Sequence, residues 1–226
     1  MKKRILGRGL AVALALAFSL AILATAIYVP ATADWVMLPL MERYAPPEDT
    51  RLPAEEYTPV VSMITAYLQG DDIPFQHVFT AGGPQYAAFN QKEQHHMADV
   101  QDLFRLCRGG GWVCAALVIA LAIILRKDFP WRTVSKTLIS ILATVTVLII
   151  LACVDFNSLF VLFHRIAFTN DLWLLNPQTD LLIRLMPIEF FISYAAIIGC
   201  CWLTGMTVVL TVSIFAQRFR KKGVTP

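Results

Sequence analysis

Residues 9–29 read GLAVALALAFSLAILATAIYV, twenty-one residues without a single charge. As a helix rising 1.5 Å per residue, such a run is about 31 Å long, close to the hydrocarbon thickness of a bilayer. Three more stretches share this character, so the chain divides into spans at 5–29, 106–125, 134–154 and 188–216. The second is continuously apolar only over 112–125. It reaches spanning length by including 106–111, with Arg108 snorkelling to the surface.

Composition points the same way. Hydrophobic residues make up 57% of the 226, charged residues 15%, and the mean hydropathy is +0.61. An average soluble domain carries roughly 25% charge. A soluble globule, a disordered chain and a fibrous repeat are therefore excluded. The expected fold is one integral membrane domain over residues 1–226, all-α, with four transmembrane helices and a small mixed extracytoplasmic subdomain. Cys107, Cys114, Cys153, Cys200 and Cys201 lie in or beside apolar runs and read as small hydrophobic packers. The first run has a second reading as a signal peptide, with Lys2, Lys3, Arg4 and Arg8 ahead of it and Ala31-Thr32-Ala33 as the cleavage site. A signal's apolar region is typically about 7–15 residues, so a retained anchor fits the length better.

Charge orients the spans. Twelve of the nineteen lysines and arginines gather at Lys2, Lys3, Arg4 and Arg8, at Arg126, Lys127, Arg132 and Lys136, and at Arg218, Arg220, Lys221 and Lys222. Asp128 is the one acid among them. This excess assigns the loop 126–133, the tail 217–226 and both termini to the cytoplasm. It explains the basic clusters without a nucleic-acid partner. The outer segments are then 30–105 and 155–187, and they hold all four histidines, His77, His95, His96 and His164.

In the first outer segment, residues 30–59 carry Pro39, Pro46, Pro47 and Pro53 and read as an irregular surface stretch. An apolar stripe predicts a short helix over 55–68, and Gly82-Gly83-Pro84 a hairpin within 73–89. Asn90 caps the next helix, with Glu93 three residues on as in a capping box. On a wheel of 100° per residue, His96 heads an apolar stripe with Val100, Leu103 and Cys107, whereas His95 faces water. Asp99 is placed to orient either ring. Gly109-Gly110-Gly111 allows a bend, or close packing against another span.

In the second outer segment, the run 155–168 is strongly aromatic, with His164 in its middle, so a charged ring there would lose solvation. Trp173 suits an interfacial belt. Asn176 as cap with Pro177 at the first helical position predicts a helix to residue 186. His95, His96, Asp99 and His164 would be the zinc set, but they lack the H-x-x-x-H and H-E-x-x-H spacings. No metal or other cofactor is expected. A lone histidine on an apolar face is usually structural; two of them beside carboxylates at one membrane edge read as a site.

The stretch Glu93-Gln94-His95-His96-Met97-Ala98-Asp99-Val100, followed by Leu103-Phe104, resembles the E-x-x-H-M-x-D-V block of the lipoprotein intramolecular transacylases (Lit), small integral membrane proteins of Gram-positive bacteria. A second block agrees: Phe163-His164-Arg165-Ile166-Ala167-Phe168, then Asn170-Asp171, Trp173, Pro177, Asp180 and Pro187. The resemblance implies an acyltransferase of the cell membrane. Its substrate is a diacylglyceryl-modified lipoprotein presented among membrane lipids, and no obligate protein partner is implied. The acyl chain moves from the glycerol sn-2 oxygen to the α-amino group of the N-terminal cysteine, giving a lyso-form lipoprotein. His96 and His164 map onto the family's functional histidines.

The chemistry suits imidazoles. An α-amino group titrates near 7.7–8.0, so a base must take its proton, and the leaving glycerol oxygen needs one. One histidine does both in turn, or two divide the work. His96 is assigned as base for the amine, with Asp99 as orienter. His164 then protonates the alkoxide or stabilises the oxyanion. Asn170 and Asp171 position the glycerol or a histidine, or form an ordinary turn. The competing readings are a non-catalytic lipid-binding accessory protein and a zinc-dependent membrane hydrolase.

Overall fold

The computed structural model describes residues 2–80 and 82–221. In chain order the elements are α1 (Lys2–Ala31), α2 (Asp34–Tyr44), α3 (Pro47–Thr50), α4 (Tyr57–Gln69), β1 (Val78–Thr80) and β2 (Gln85–Ala87). They continue with α5 (Gln91–Leu125), α6 (Trp131–Val154), α7 (Phe156–Ala167), α8 (Leu181–Leu185) and α9 (Ile188–Lys221). Among the described residues, four of these helices, α1, α5, α6 and α9, are long and apolar enough to cross a membrane. The chain divides into two compact units.

One unit is Met1–Ala26, Arg108–Val154 and Ile198–Pro226. Leu14, Leu138, Trp202 and Met206 form its core with Ala11 and Ala15. Small residues let its helix backbones approach, the usual packing device where lipid provides no hydrophobic drive between helices. A Cβ built on Gly205 would stand 2.8 Å from Ile22 Cγ2, and one on Gly111 3.0 Å from Ala24 Cβ. Helix α5 runs unbroken through Gly109–Gly111. Of the two sequence readings, close packing against another span therefore describes Gly111, and no break in the helix occurs. Trp202 Nε1 donates to the Ser19 carbonyl at 3.2 Å, and the Ser135 and Ser213 hydroxyls share a 2.8 Å bond. In lipid such groups find no water and must pair internally.

The other unit is Ile27–Cys107 and Asp155–Ile197. Its core is built on Tyr57, Val60 and Ile64 of α4, Met41 of α2, Phe89, Leu185 of α8 and Phe190 of α9. The expected irregular stretch over 30–59 is corrected here, because it holds α2 and α3. Pro39 inside α2 forfeits a backbone bond at a cost of about 3 kcal/mol. Burial of Val36, Met37 and Met41 against α4 offsets it, and Asp34 accepts hydrogen bonds from Ser62 Oγ (2.7 Å) and Thr65 Oγ1. The hairpin pairs Val78 with Ala87, and its turn uses Gly82 and Gly83 at φ 64° and 108°.

A second correction concerns the helix expected from Asn176. Residues 177–179 form turns, and α8 begins at Leu181, after Asp180. Asn176 Oδ1 accepts from the Gln178 N–H, closing a local turn, while the Asn176 N–H donates to Asp180 at 2.7 Å. Asp180 also accepts from Asn90 Nδ2 at 2.8 Å. Helix α8 thus starts later than the asparagine–proline pair announces, and its Leu182 N–H is capped by Glu93 rather than by the Asp180 side chain.

At the head of α5, the Asn90 N–H donates to Glu93 Oε2 at 2.7 Å, and the Glu93 N–H donates to Asn90 Oδ1 at 3.1 Å. This is a reciprocal capping box. Glu93 Oε1 also accepts the Leu182 N–H of α8 at 2.6 Å. One buried carboxylate thus caps two helices far apart in the sequence. Burial pushes its pKa above the usual carboxylate range, and the backbone donors only partly oppose this. A raised folded-state value means that ionising Glu93 weakens the fold. The contribution of its titration is full below the unfolded pKa and is lost as pH rises through the folded one. Glu93→Ala strands two buried N–H groups and is expected to lower stability by about 2–4 kcal/mol. Glu93→Gln, which keeps an acceptor, is expected to cost less. Thermal unfolding of both variants in detergent measures the difference.

Candidate active site

Helix α5 has 35 residues and so is about 52 Å long, well beyond a hydrocarbon core of about 30 Å. Its apolar part, 106–125, is the part suited to lipid. Residues 91–105 carry Lys92, Glu93, His95, Asp99, Asp102 and Arg105 and lie outside it. His96 stands in this polar half, one turn after the Glu93 clamp. It is 7% exposed, whereas its neighbour His95 is exposed. His164 lies on α7 and is 8% exposed. The two ring centroids are 6.2 Å apart with an interplanar angle of 33°. No hydrogen bond joins the rings.

Aromatic groups enclose the pair. Phe168 contacts His96 edge-on at 5.2 Å and His164 at 5.6 Å. Phe160 and Trp173 flank His164 at 4.2 and 5.1 Å. Helix α7 is amphipathic in a way that produces this. Phe156, Phe160 and His164, spaced by four, share its inner side, while Leu159, Leu162, Phe163 and Ile166 are exposed. Asp155 caps it, accepting the Ser158 N–H at 3.0 Å. Phe160 and Phe168 were missed in the sequence. The i, i+4 spacing of Phe160 and His164 on one helix was the available signal.

His164 Nδ1 lies 2.7 Å from the Phe160 carbonyl oxygen. A carbonyl only accepts, so Nδ1 carries a proton, and in the neutral ring Nε2 keeps its lone pair. Burial lowers the His164 pKa, and the Phe160 carbonyl partly opposes this. His96 is lowered further, to about 4, first by burial and then by repulsion from His164 and Lys92, with Asp99 opposing. Its Nδ1 is buried and has no hydrogen-bond partner among the described residues. Both rings are therefore neutral at physiological pH, and each has a nitrogen available to a ligand.

The other expected site residues fall around the pair. Asp99 does not bond either imidazole. It accepts from Asn170 Nδ2 at 2.9 Å and so ties α5 to the stretch that follows α7. Asn170 Oδ1 also accepts the Leu172 N–H at 3.0 Å, so the turn reading and the positioning reading hold at once. Glu93 is the clamp already described. Asp171 is exposed, and its carboxylate has no hydrogen-bond or ion-pair partner among the described residues. His77 stands apart, with Nε2 2.7 Å from a Glu56 carboxylate oxygen. Among the described residues no disulfide joins the cysteines, and Cys153, Cys200 and Cys201 are exposed rather than packed inside. Among the described residues, no group of three or more histidine, cysteine or carboxylate side chains is arranged to hold a metal ion.

A cavity of about 250 Å³ adjoins the pair. Phe168 and Trp173, which touch the imidazoles, form its apolar side with Leu174; Arg165, Thr169, Asn170 and Asp171 form its polar side. The enclosed state of His96 predicts that its ring carbon resonances stay at neutral-imidazole positions from about pH 8 down to about pH 5.5, read by NMR of histidine-labelled protein. Charging of this ring near the ordinary value of about 6.5 would contradict the enclosure.

Comparison with known proteins bears on this arrangement. The sequence profile of the family described as lipoprotein intramolecular transacylase Lit matches residues 12–191. No curated protein matches the chain. The solved structure of the membrane integral lipoprotein intramolecular transacylase Lit from Bacillus cereus superposes with a TM-score of 0.77 at 20% identity, covering 97% of this chain and 99% of that one. A second structure of the Bacillus cereus protein, with one histidine replaced by arginine, gives a TM-score of 0.80 at 17% identity over 98% and 96% of the two chains. A third, with a histidine replaced by alanine, gives 0.80 at 17% identity, covering 97% of each. At these identities the superpositions establish the fold, a helical membrane protein. The match over residues 12–191 establishes the rest: the chain belongs to the Lit family of lipoprotein intramolecular transacylases and is an acyltransferase acting within a lipoprotein.

Proposed function

We propose that His96 and His164 carry the acyl transfer, which moves the sn-2 acyl chain of a diacylglyceryl-modified lipoprotein onto the α-amino group of its N-terminal cysteine. One observation carries this reading. Two neutral imidazoles from separate outer segments stand 6.2 Å apart, each with an available nitrogen.

In this mechanism His164 is the base. Its Nδ1–H is held by the Phe160 carbonyl, which leaves Nε2 to accept a proton. His96, lowered to about 4, resists holding a second proton and serves as a neutral partner to the developing oxyanion. This reverses the division of roles assigned from sequence. The amine nitrogen attacks the ester carbonyl carbon, and the C–N bond forms. His164 takes a proton from that nitrogen and returns it to the glycerol oxygen as the C–O bond breaks. An amine that enters as ammonium releases one further proton to solvent. Acid–base help of this kind is worth about 10²–10⁴-fold. Amine and ester on one substrate add a proximity gain, and ester-to-amide exchange is itself downhill.

Asp99 and Asn170 hold the two segments in register, and Trp173 fixes the His164 ring. The basic excess at residues 2–8, 126–136 and 218–222 supports a multi-pass arrangement with both termini cytoplasmic and the histidines at the outer leaflet, where the lipid-linked substrate lies. In cells carrying His96→Ala or His164→Ala, mass spectrometry of lipoproteins is expected to find lyso-form output reduced by about a hundredfold or more. The size-conserving His164→Gln is expected to fail equally, where a lipid-holding accessory role would tolerate it. Normal output from any of these variants would remove that histidine from the mechanism.

A further inference from the structure

We propose that the cavity formed by Arg165, Thr169, Asn170 and Asp171 is a subsite for the peptide backbone immediately following the acylated cysteine. This rests on the reaction proposed above and adds where the polar half of the substrate is held.

Position is the first argument. Phe168 and Trp173 wall the cavity and also contact the two imidazoles, Phe168 at 5.2 Å from His96 and Trp173 at 5.1 Å from His164. A chain in the cavity is thus one ring away from the reacting groups. The α-amine that attacks belongs to the first residue of that chain, so the next peptide units must leave the centre over a short distance.

Chemistry is the second. Arg165 and Asp171 are both exposed and oppositely charged, and among the described residues neither side chain has a hydrogen-bond or ion-pair partner. A lone cation would suit a phosphate or carboxylate, but the carboxylate beside it repels an anion. Donors and acceptors of both kinds match a peptide, whose backbone presents a C=O and an N–H at each residue. At about 250 Å³ the cavity is smaller than the 300–1,000 Å³ typical of whole-ligand sites, which suits a short stretch of chain.

The third argument is division of the substrate. The exposed apolar side of α7, through Leu159, Leu162, Phe163 and Ile166, matches acyl chains and lipid. Arg165 leaves the helix on another side, about 100° from Ile166. Helix α7 therefore separates an apolar surface from a polar cavity, with His164 on its inner side. A diacylglyceryl peptide is divided in the same way.

The test uses purified full-length protein with two synthetic substrates, diacylglyceryl-cysteine amide and a diacylglyceryl-cysteinyl tetrapeptide. The wild type is expected to prefer the tetrapeptide by about tenfold in kcat/KM, mostly through KM, as charge-assisted hydrogen bonds imply. In Arg165→Gln and Asp171→Asn that preference is expected to fall below about threefold, again through KM. Both residues are exposed, and unfolding midpoints equal to the wild type are required of both variants. Equal treatment of the two substrates by the wild type, while the amide is still converted, overturns the subsite and leaves the reaction standing. Full preference retained in both variants also overturns it. Conversion of neither substrate removes the reaction and the subsite together.

Discussion

The carboxylate of Glu93 accepts the N–H of Asn90 on one side and the N–H of Leu182 on the other. These donors head α5 and α8, whose free N-terminal N–H groups would otherwise be buried without partners. Removing a carboxylate from water is costly, and two charge-assisted bonds offset much of that cost. Asp180 does parallel work one turn away, accepting from Asn90 Nδ2 and from the Asn176 N–H. His96 sits one turn beyond this clamp, so its helix begins at a position set by the stretch 155–187, which also carries His164. The Asp99–Asn170 bond is a second strut nearer the rings. The separation of the two imidazoles follows from these polar ties.

Enclosure then decides what the rings do. Phe160, Phe168 and Trp173 exclude water from His164, and His96 shares Phe168. In such surroundings a charged imidazole is disfavoured, and His164 further disfavours charge on His96. A neutral pair is what an ammonium-to-ester exchange requires: one group to receive a proton and one to stabilise a negative oxygen. In the proposed mechanism the Nδ1 of His96, which has no hydrogen-bond partner among the described residues, gains one when the substrate oxygen arrives.

Several of these features were legible in the residues. The uncharged run 9–29 and its three counterparts announce long apolar helices, and Asn90 with Glu93 announces the capping box. The wheel separates buried His96 from exposed His95. Other features were hidden. That Glu93 reaches Leu182, 89 positions away, depends on tertiary packing that no local pattern reveals. Asp99 lies within reach of both neighbouring histidines in sequence, yet pairs with Asn170, which had no visible link to it. Pro39 and Pro47 read as interruptions, but α2 forms around Pro39 because burial against α4 outweighs the lost bond, and Pro47 stands at the first position of α3, where no helical bond is lost. Asn176-Pro177 was a sound local start signal, but the side-chain cap of α8 comes from Glu93, far away in the sequence.

The account stands on one claim: the two imidazoles relocate an acyl chain within a single lipoprotein molecule and release none. Its most direct test is an equal mixture of unlabelled substrate and substrate deuterated in both the peptide and the sn-2 chain, incubated with purified protein. Fragmentation mass spectra then locate each chain. The account predicts unchanged total mass, with the chain on the cysteine nitrogen always carrying the same label as its peptide. Released fatty acid, or labelled chains on unlabelled peptides, would contradict it.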